Sequence, residues 1–361
     1  MTSAQSNAVT HGFGFLPYAK PHGMTSRELV NRVQRRLRRE QNNRKLKVGH
    51  TGTLDPLADG LVVIAVGAAA RLTPWLLQHS KRYVARFEFG VSSVSGDLEE
   101  PVTALPNAPR PSLEEIESVC AQMHGWLDQV PPTHSAIWVD GERAHLRVRR
   151  GEQVEMPTRR VWIDSIDVLK YDYPHLDVDV RCGSGTYLRS LGMDIAARCQ
   201  NVAVMTRLTR TEVGPFQLAG AVPAVPPDDP PPGNPAQLAE GLTPMEGTAE
   251  LQNSIQAPVT GLAHVPSMPL SPDDVIRVRH GIRIGGEPQQ PQQTELDQEN
   301  VQEQSLHCSE GSGLPPDECM AVDAGGDLVA ILRRKQGRWA PYRVFAESRH
   351  SVDATKKAAR T

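Results

Sequence analysis

The chain is poor in cysteine: Cys120, Cys182, Cys199, Cys308 and Cys319 are the only five in 361 residues, and no two form a CxxC pair. An odd count without metal-ligand spacing argues against a disulfide framework and a structural zinc site, and fits a reducing compartment. No apolar run approaches the ~18 residues that span a bilayer. The opening MTSAQSNAVT lacks the basic and apolar regions of a secretory signal. The glycine-rich stretch at 49–60 has no GK[ST] ending of a phosphate-binding P-loop, and GSGT at 183–186 lacks a dinucleotide-binding context. These absences leave the expectation of a cytoplasmic, soluble protein.

Length and charge suggest two parts. At about 150 residues per domain, 361 residues predict two domains. The formal net charge of −3 hides a division: residues 1–220 hold 27 Lys/Arg against 23 Asp/Glu (+4), and residues 221–361 hold 12 against 19 (−7). Within the first part, 10 basic residues and only Glu28 and Glu40 as acids lie between Lys20 and Lys47.

Periodicity predicts a helix over 25–40, with Leu29, Val33 and Leu37 on one face and Arg32, Arg35, Arg36 and Arg39 on the other. Thr25 and Glu28 have the spacing of a capping box. Leu61 to Val66 has the composition of a buried strand, and KRYVARFEFG (81–90) alternates as a half-buried one, with Tyr83, Ala85, Phe87 and Phe89 inward. Further strands are expected at 161–169 and 176–182, and helices at 112–127 and 186–199. Strands and helices mingle without regular alternation, so the fold class is α+β, not a doubly wound parallel sheet. Seven prolines in residues 221–235 mark a linker running to about 270. Short strand signals at 273–284 and 319–345 then predict a small β-domain over 271–345 with an insertion at 286–312, rich in Gln and Glu at 289–304. A disordered leader (1–12) and a tail (346–361) complete the expected organisation, with the catalytic domain at 13–220.

GHTGTLDPLADG (49–60) concentrates turn residues immediately before a buried strand. Asp55, followed by Pro56, is the strongest catalytic candidate there, because glycines let the backbone approach a ligand closely. On the residues alone, Asp55 could equally cap a turn through backbone hydrogen bonds. The arginine face of helix 25–40 is either a phosphate-contacting strip or a solvated surface.

The motifs KPHGMTS (20–26), GHTGTLDPLADGLV (49–62), KRY (81–83), PPTHSA (131–136), GSGTYLRSLGMDI (183–195) and RL (207–208) occur in an order that resembles the bacterial tRNA pseudouridine-55 synthase family, over residues 13–218. The resemblance implies a mixed, mainly antiparallel central sheet flanked by helices, the pseudouridine synthase fold. It implies that Asp55 is the catalytic aspartate, that Tyr83 stacks on the target base, that Tyr187 lines the pocket and that Arg189 pairs with the aspartate. His50 matches the histidine that holds the rearranged T-loop, and Lys20 with Pro21 a motif beside the site. His50, Lys20, Arg32 and Arg36 are the expected RNA contacts. Departures from the family pattern are GVSSVSGDLEE (90–100), which keeps Asp97 but not the usual Thr/Asp-rich texture, Trp138 in place of a lysine and His145 in place of a tyrosine. Residues 271–345 look like the small RNA-binding β-domain that often follows this catalytic domain.

Together these imply an isomerase acting on a uridine in the tRNA T-loop, without metal or organic cofactor, as a monomer without an obligate protein partner. The rivals are a non-catalytic RNA-binding or tRNA-folding protein, and a ribosomal RNA pseudouridine synthase.

Overall fold

The computed structural model describes residues 12–135, 137–139, 141–223, 251–291 and 317–345. The expected leader and tail, the middle of the Pro-rich linker and most of the insertion lie outside the described residues. In chain order, the first elements are β1 (Gly14–Lys20), α1 (Ser26–Glu40), β2 (Val48–His50), β3 (Ala58–Val66), α2 (Thr73–Leu77), β4 (Lys81–Phe89), β5 (Val91–Ser92) and β6 (Thr103–Ala104). There follow α3 (Leu113–Gln122), β7 (Gly125–Gln129), β8 (Trp138–Val139), β9 (Glu142–Arg143), α4 (Ala144–Arg149), β10 (Arg159–Asp172), β11 (His175–Cys182), α5 (Leu188–Arg198), β12 (Ala203–Val213) and β13 (Phe216–Gln217). The small domain contributes β14 (Ser267–Pro269), α6 (Pro272–Arg279), β15 (Glu318–Val322), β16 (Leu328–Lys335) and β17 (Arg338–Val344).

A nine-stranded sheet runs in the order β1-β3-β12-β4-β11-β10-β7, with β2 on β3 and β13 on β12. Its pairings are antiparallel except β3 with β12. The mixed α+β architecture expected from sequence is thus present. β4 keeps its alternation, burying Tyr83, Ala85, Phe87 and Phe89 while Arg82 pairs with Asp179 and Arg86 with Asp177 on β11. β3 is buried on both faces, which explains its unbroken apolar run. Val62, Ile64 and Val66 join the core under α1 and α5, and Leu61, Val63 and Ala65 join the core on the opposite face.

α1 buries Leu29, Val30, Val33 and Leu37. Thr25 Oγ1 accepts from the Glu28 amide at 3.0 Å, while the Glu28 carboxylate turns to Arg32 at 2.6 Å instead of closing the box. The helix expected at 112–127 ends at Gln122, and residues 125–129 form the edge strand β7 on β10.

Two expectations about the second part are corrected. VIRVRHGIRI does not open with a strand: Ser271 caps α6, Pro272 occupies its first turn with Asp273 and Asp274, and Arg277 and Arg279 sit in its last turn. These helix-end signals outweigh the β-branched residues. Nor is 251–270 free linker. Phe15 and Gln256 exchange backbone hydrogen bonds at 3.0 and 2.7 Å, and Val222 pairs with the same edge strand beside Tyr18. Leu251 and Ile255 enter one core, Leu262 and Val265 the other. The chain entering and leaving 224–250 therefore covers the β1 edge.

The four-stranded sheet β14-β15-β16-β17 docks on the catalytic domain. Leu328, Ile331 and Phe345 share a core with Trp75 and Leu76, and the Phe345 and Phe13 rings stack 5.7 Å apart. Buried Glu318 bridges the parts, accepting from Trp75 Nε1 at 3.0 Å and from Arg333 Nε at 2.5 Å. Nearby, His264 lies 4.3 Å from His79, and neither ring nitrogen of His264 has a hydrogen-bond partner. Burial, then His79, pushes His264 down to about 3. The unfolded chain binds this proton near pH 6.5 and the folded chain does not, so stability is complete above about pH 6.5 and falls as pH drops toward 3. Denaturation at successive pH values should show a loss from this group of up to about 1.4 kcal/mol per pH unit below pH 6.5, and His264→Leu should flatten it. An unchanged slope in that variant would contradict the assignment.

Candidate active site

Asp55 sits in a loop fixed from three sides. Ser26, at the start of α1, donates through Oγ to Leu54 O at 2.8 Å and accepts from Leu54 N at 2.9 Å. From below, Lys20 Nζ donates to Met24 O at 2.7 Å, Pro21 O at 3.0 Å and Pro56 O at 3.5 Å, and Gly23 N reaches Pro56 O at 2.8 Å. Arg210, on β12, supplies the third hold: its guanidinium donates to Leu61 O at 2.7 Å, Thr53 O at 3.2 Å and Gly52 O at 3.2 Å. β12 can come this close because residue 60 is glycine. Its φ is +104°, and a Cβ there would lie 2.4 Å from Arg210 O.

The loop presents the Asp55 carboxylate to a buried arginine. Arg189, on the first turn of α5, is 6% exposed at its side chain, against 41% for Asp55. Arg189 Nη2 lies 3.2 Å from Asp55 Oδ2 and also donates to His134 O at 3.1 Å. Nη1 lies 3.2 Å from Asp97 Oδ2 and donates to Ser95 O at 3.1 Å. Asp97 is in turn fully buried, its Oδ1 accepting from Ser95 Oγ at 2.5 Å and Glu99 N at 3.0 Å. One guanidinium thus joins an exposed carboxylate to a buried one. The guanidinium fixes the direction in which the Asp55 carboxylate points.

Two tyrosines lie within reach of the Asp55 charge, which acts on both phenols. Tyr83 is buried on β4, and burial pushes its phenol up while Arg210, which hydrogen-bonds to it, pulls it down. Tyr187 caps α5, its backbone gripped at both ends by Gln129: the amide donates to Oε1 at 2.8 Å and the carbonyl accepts from Nε2 at 3.1 Å. Burial raises the Tyr187 phenol, and a hydrogen bond to Ser135 opposes the rise. Both phenols remain neutral at pH 7.

The four residues singled out in sequence, Asp55, Tyr83, Tyr187 and Arg189, therefore converge. His50 lies five residues before Asp55, half-buried on β2, and burial, then Arg27 and Arg210, pushes its imidazole down; its Nδ1 is buried without a partner. Arg32 and Arg36 lie on the outer side of α1, paired with Glu28 at 2.6 Å and Glu40 at 2.8 Å. Lys20 is 1% exposed and its ammonium donates to backbone carbonyls, so in this fold it supports the Asp55 loop from beneath. Arg210 and Asp97 were missed as site residues. Asp97 was visible only as a retained acid in an altered segment, and Arg210 as a cation in a strand, where exposure is the usual expectation.

The burial of Lys20 has a measurable consequence. Burial outweighs the opposing pull of Asp59 and Asp55 and lowers its ammonium to about 8, yet no path for a reagent exists. Limited acylation at pH 7.5, read by mass spectrometry, should modify exposed Lys45 and spare Lys20; comparable labelling of both would contradict the buried placement.

Residues 37–188 match the model of the TruB family pseudouridylate synthase N-terminal domain. The chain is 47% identical over 344 residues to tRNA pseudouridine synthase B of Rhodopirellula baltica, covering 92% of this chain and 94% of that protein. It is 31% identical to the protein of the same name from a Caulobacter species, covering 92% and 96%. Among solved structures, it resembles a Cbf5-Nop10-Gar1 complex (TM-score 0.63, 20% identity, 96% of this chain and 92% of that one) and an H/ACA ribonucleoprotein bound to a substrate RNA containing 2'-deoxyuridine (TM-score 0.61, 19% identity, 94% and 87%). These structural likenesses speak to the fold; the sequence relatives speak to the family. At 47% identity over 92% of its length to tRNA pseudouridine synthase B, the chain belongs to the TruB family of pseudouridine synthases.

Proposed function

We propose that the chain isomerises the uridine at position 55 in the T-loop of tRNA, with Asp55 acting on the sugar, Arg189 orienting Asp55, and Tyr83 and Tyr187 holding the base. The observation that carries this reading is the 3.2 Å contact between half-exposed Asp55 and buried Arg189. The reaction breaks the N1–C1′ bond and forms a C5–C1′ bond on the same base; C5 loses a proton and N1 gains one. No electron leaves and no outside group enters, so one carboxylate placed beside the sugar suffices. It either attacks C1′ or steadies the positive charge developing on the ribose. The uridine must be turned out of its stack to reach Asp55, which costs least in a loop. His50, neutral and with an open nitrogen, is suited to the space that the uridine leaves.

On this reading the protein works as a single subunit in the cytoplasm, with tRNA as partner. The intact set of Asp55, Tyr83, Tyr187 and Arg189 speaks against a tRNA-folding protein that has lost its chemistry.

Two substitutions test the assignments. Asp55→Asn should abolish product formation in single-turnover assays on unmodified tRNA while tRNA binding changes little; Asp59→Asn, four residues away, should be much milder. Normal turnover by Asp55→Asn would defeat the role given to it. Tyr83→Ala should weaken substrate engagement by about 1–3 kcal/mol, the worth of one base–aromatic stack. Tyr83→Phe keeps the stack, so a slow rate with normal binding would assign the hydroxyl a part in proton movement, and an unchanged rate would leave stacking alone.

A further inference from the structure

Two segments distant in the sequence meet on the guanidinium of Arg189. One supplies Ser95 O and Asp97 Oδ2 to Nη1. The other, the loop at 130–135, supplies His134 O to Nη2, the same nitrogen that meets Asp55. The start of this loop is anchored on α5, where Gln129 grips the Tyr187 backbone and Ser190 Oγ donates to Val130 O at 2.7 Å. Its far end is held differently, through the side chain of His134.

His134 Nε2 faces Glu100 Oε1 at 3.6 Å, with the imidazole side chain 16% exposed and the carboxylate 43%. Nδ1 is buried without a hydrogen-bond partner, so only Nε2 is turned toward a counter-charge. At this distance the contact is longer than a hydrogen bond and acts by charge. An imidazolium pairs with the carboxylate, whereas a neutral ring merely faces it. The charges around the ring are Glu100 and Glu99 from the segment 90–100, Arg189 from α5, and Asp97 and Asp55 beyond it. Glu100 follows Asp97 by three residues, and Asp97 already touches Arg189. The His134–Glu100 contact therefore closes a ring that runs from Nη1 through Asp97, Glu100 and His134 back to Nη2.

We infer that His134 is a positioning residue: through Glu100 it ties the loop at 130–135 to the segment 90–100, keeps its carbonyl on Arg189 Nη2, and so keeps Asp55 in direction. The inference rests on the role proposed above for Asp55 and deepens it. Neither side chain has to touch RNA. Opening the tie leaves Arg189 on Asp97 and Ser95 O but frees one side of the guanidinium that aims Asp55, so the chemical step suffers and binding does not.

The test is a double-mutant cycle on the full chain, read as single-turnover rate at saturating tRNA and as tRNA Kd. His134→Ala and Glu100→Ala should each slow the rate about tenfold, with Kd changed by less than about twofold. The double variant should be no slower than the slower single one, because both break the same tie. Glu100→Gln keeps the shape of a partly exposed side chain and removes only its charge. The ratio of parent to Glu100→Gln rates should grow as pH is lowered from 8 to 6, since the imidazolium is the form that pairs. Unchanged rates, a double variant slowed about a hundredfold, a weakened Kd with the rate intact, or a ratio independent of pH overturns the inference. The tie is also read without RNA. In chain labelled with 15N-histidine, the ring-nitrogen signals of His134, assigned with His134→Ala, should move in Glu100→Gln. Product with unmoved signals removes the tie and keeps the activity; moved signals in a chain that makes no product keep the tie and remove the activity.

Discussion

The site depends on one buried cation. Arg189 has almost no contact with water, and an unpaired guanidinium there would be prohibitive. Asp97 supplies the buried counter-charge, and Ser95 O and His134 O each accept from the guanidinium, so the cation has partners besides Asp55. That matters chemically. A catalytic carboxylate buried against its only cation would be inert, whereas Asp55 keeps an exposed face for substrate while one oxygen is held in direction. The segment 90–100 and the β7–β8 connection thereby belong to the site, although neither contributes a group to the reacting atoms.

The second constraint is the loop that carries Asp55. Strand pairing cannot hold it, because it lies before β3 begins at Ala58. Side chains from three distant places do so instead: Ser26 from α1, Lys20 from β1 and Arg210 from β12. Each donates to backbone carbonyls that a turn would otherwise leave unpaired. The same contacts explain why Lys20 and Arg210 are buried: both support the loop from beneath.

Local signals carried part of this. The β4 alternation placed Tyr83 inward, and the face of α1 was readable from Leu29, Val33 and Leu37, because both depend only on spacing along one element. The roles of Tyr187 and Arg189 came from motif resemblance, since nothing in residues 183–199 shows which way their side chains point. What stayed hidden depends on contacts between distant segments. Lys20 reads as a surface lysine until β1 and the Asp55 loop are brought together. Asp97 reads as a loop acid until α5 places Arg189 against it. Residues 251–265 have no helical or strand period because they form short turns, and their order comes from lying on the β1 edge. At 272–279, the Ser-Pro-Asp-Asp cap was the correct signal and the β-branched residues the misleading one.

The RNA that Asp55 acts on decides the function. Pseudouridine mapped across total cellular RNA, with and without this chain, tests that most directly. The account predicts loss of pseudouridine at position 55 of tRNAs, with ribosomal RNA unchanged, and restoration by the parent chain but not by Asp55→Asn. Intact pseudouridine at that position in the absence of the chain, or losses confined to ribosomal RNA, would contradict it.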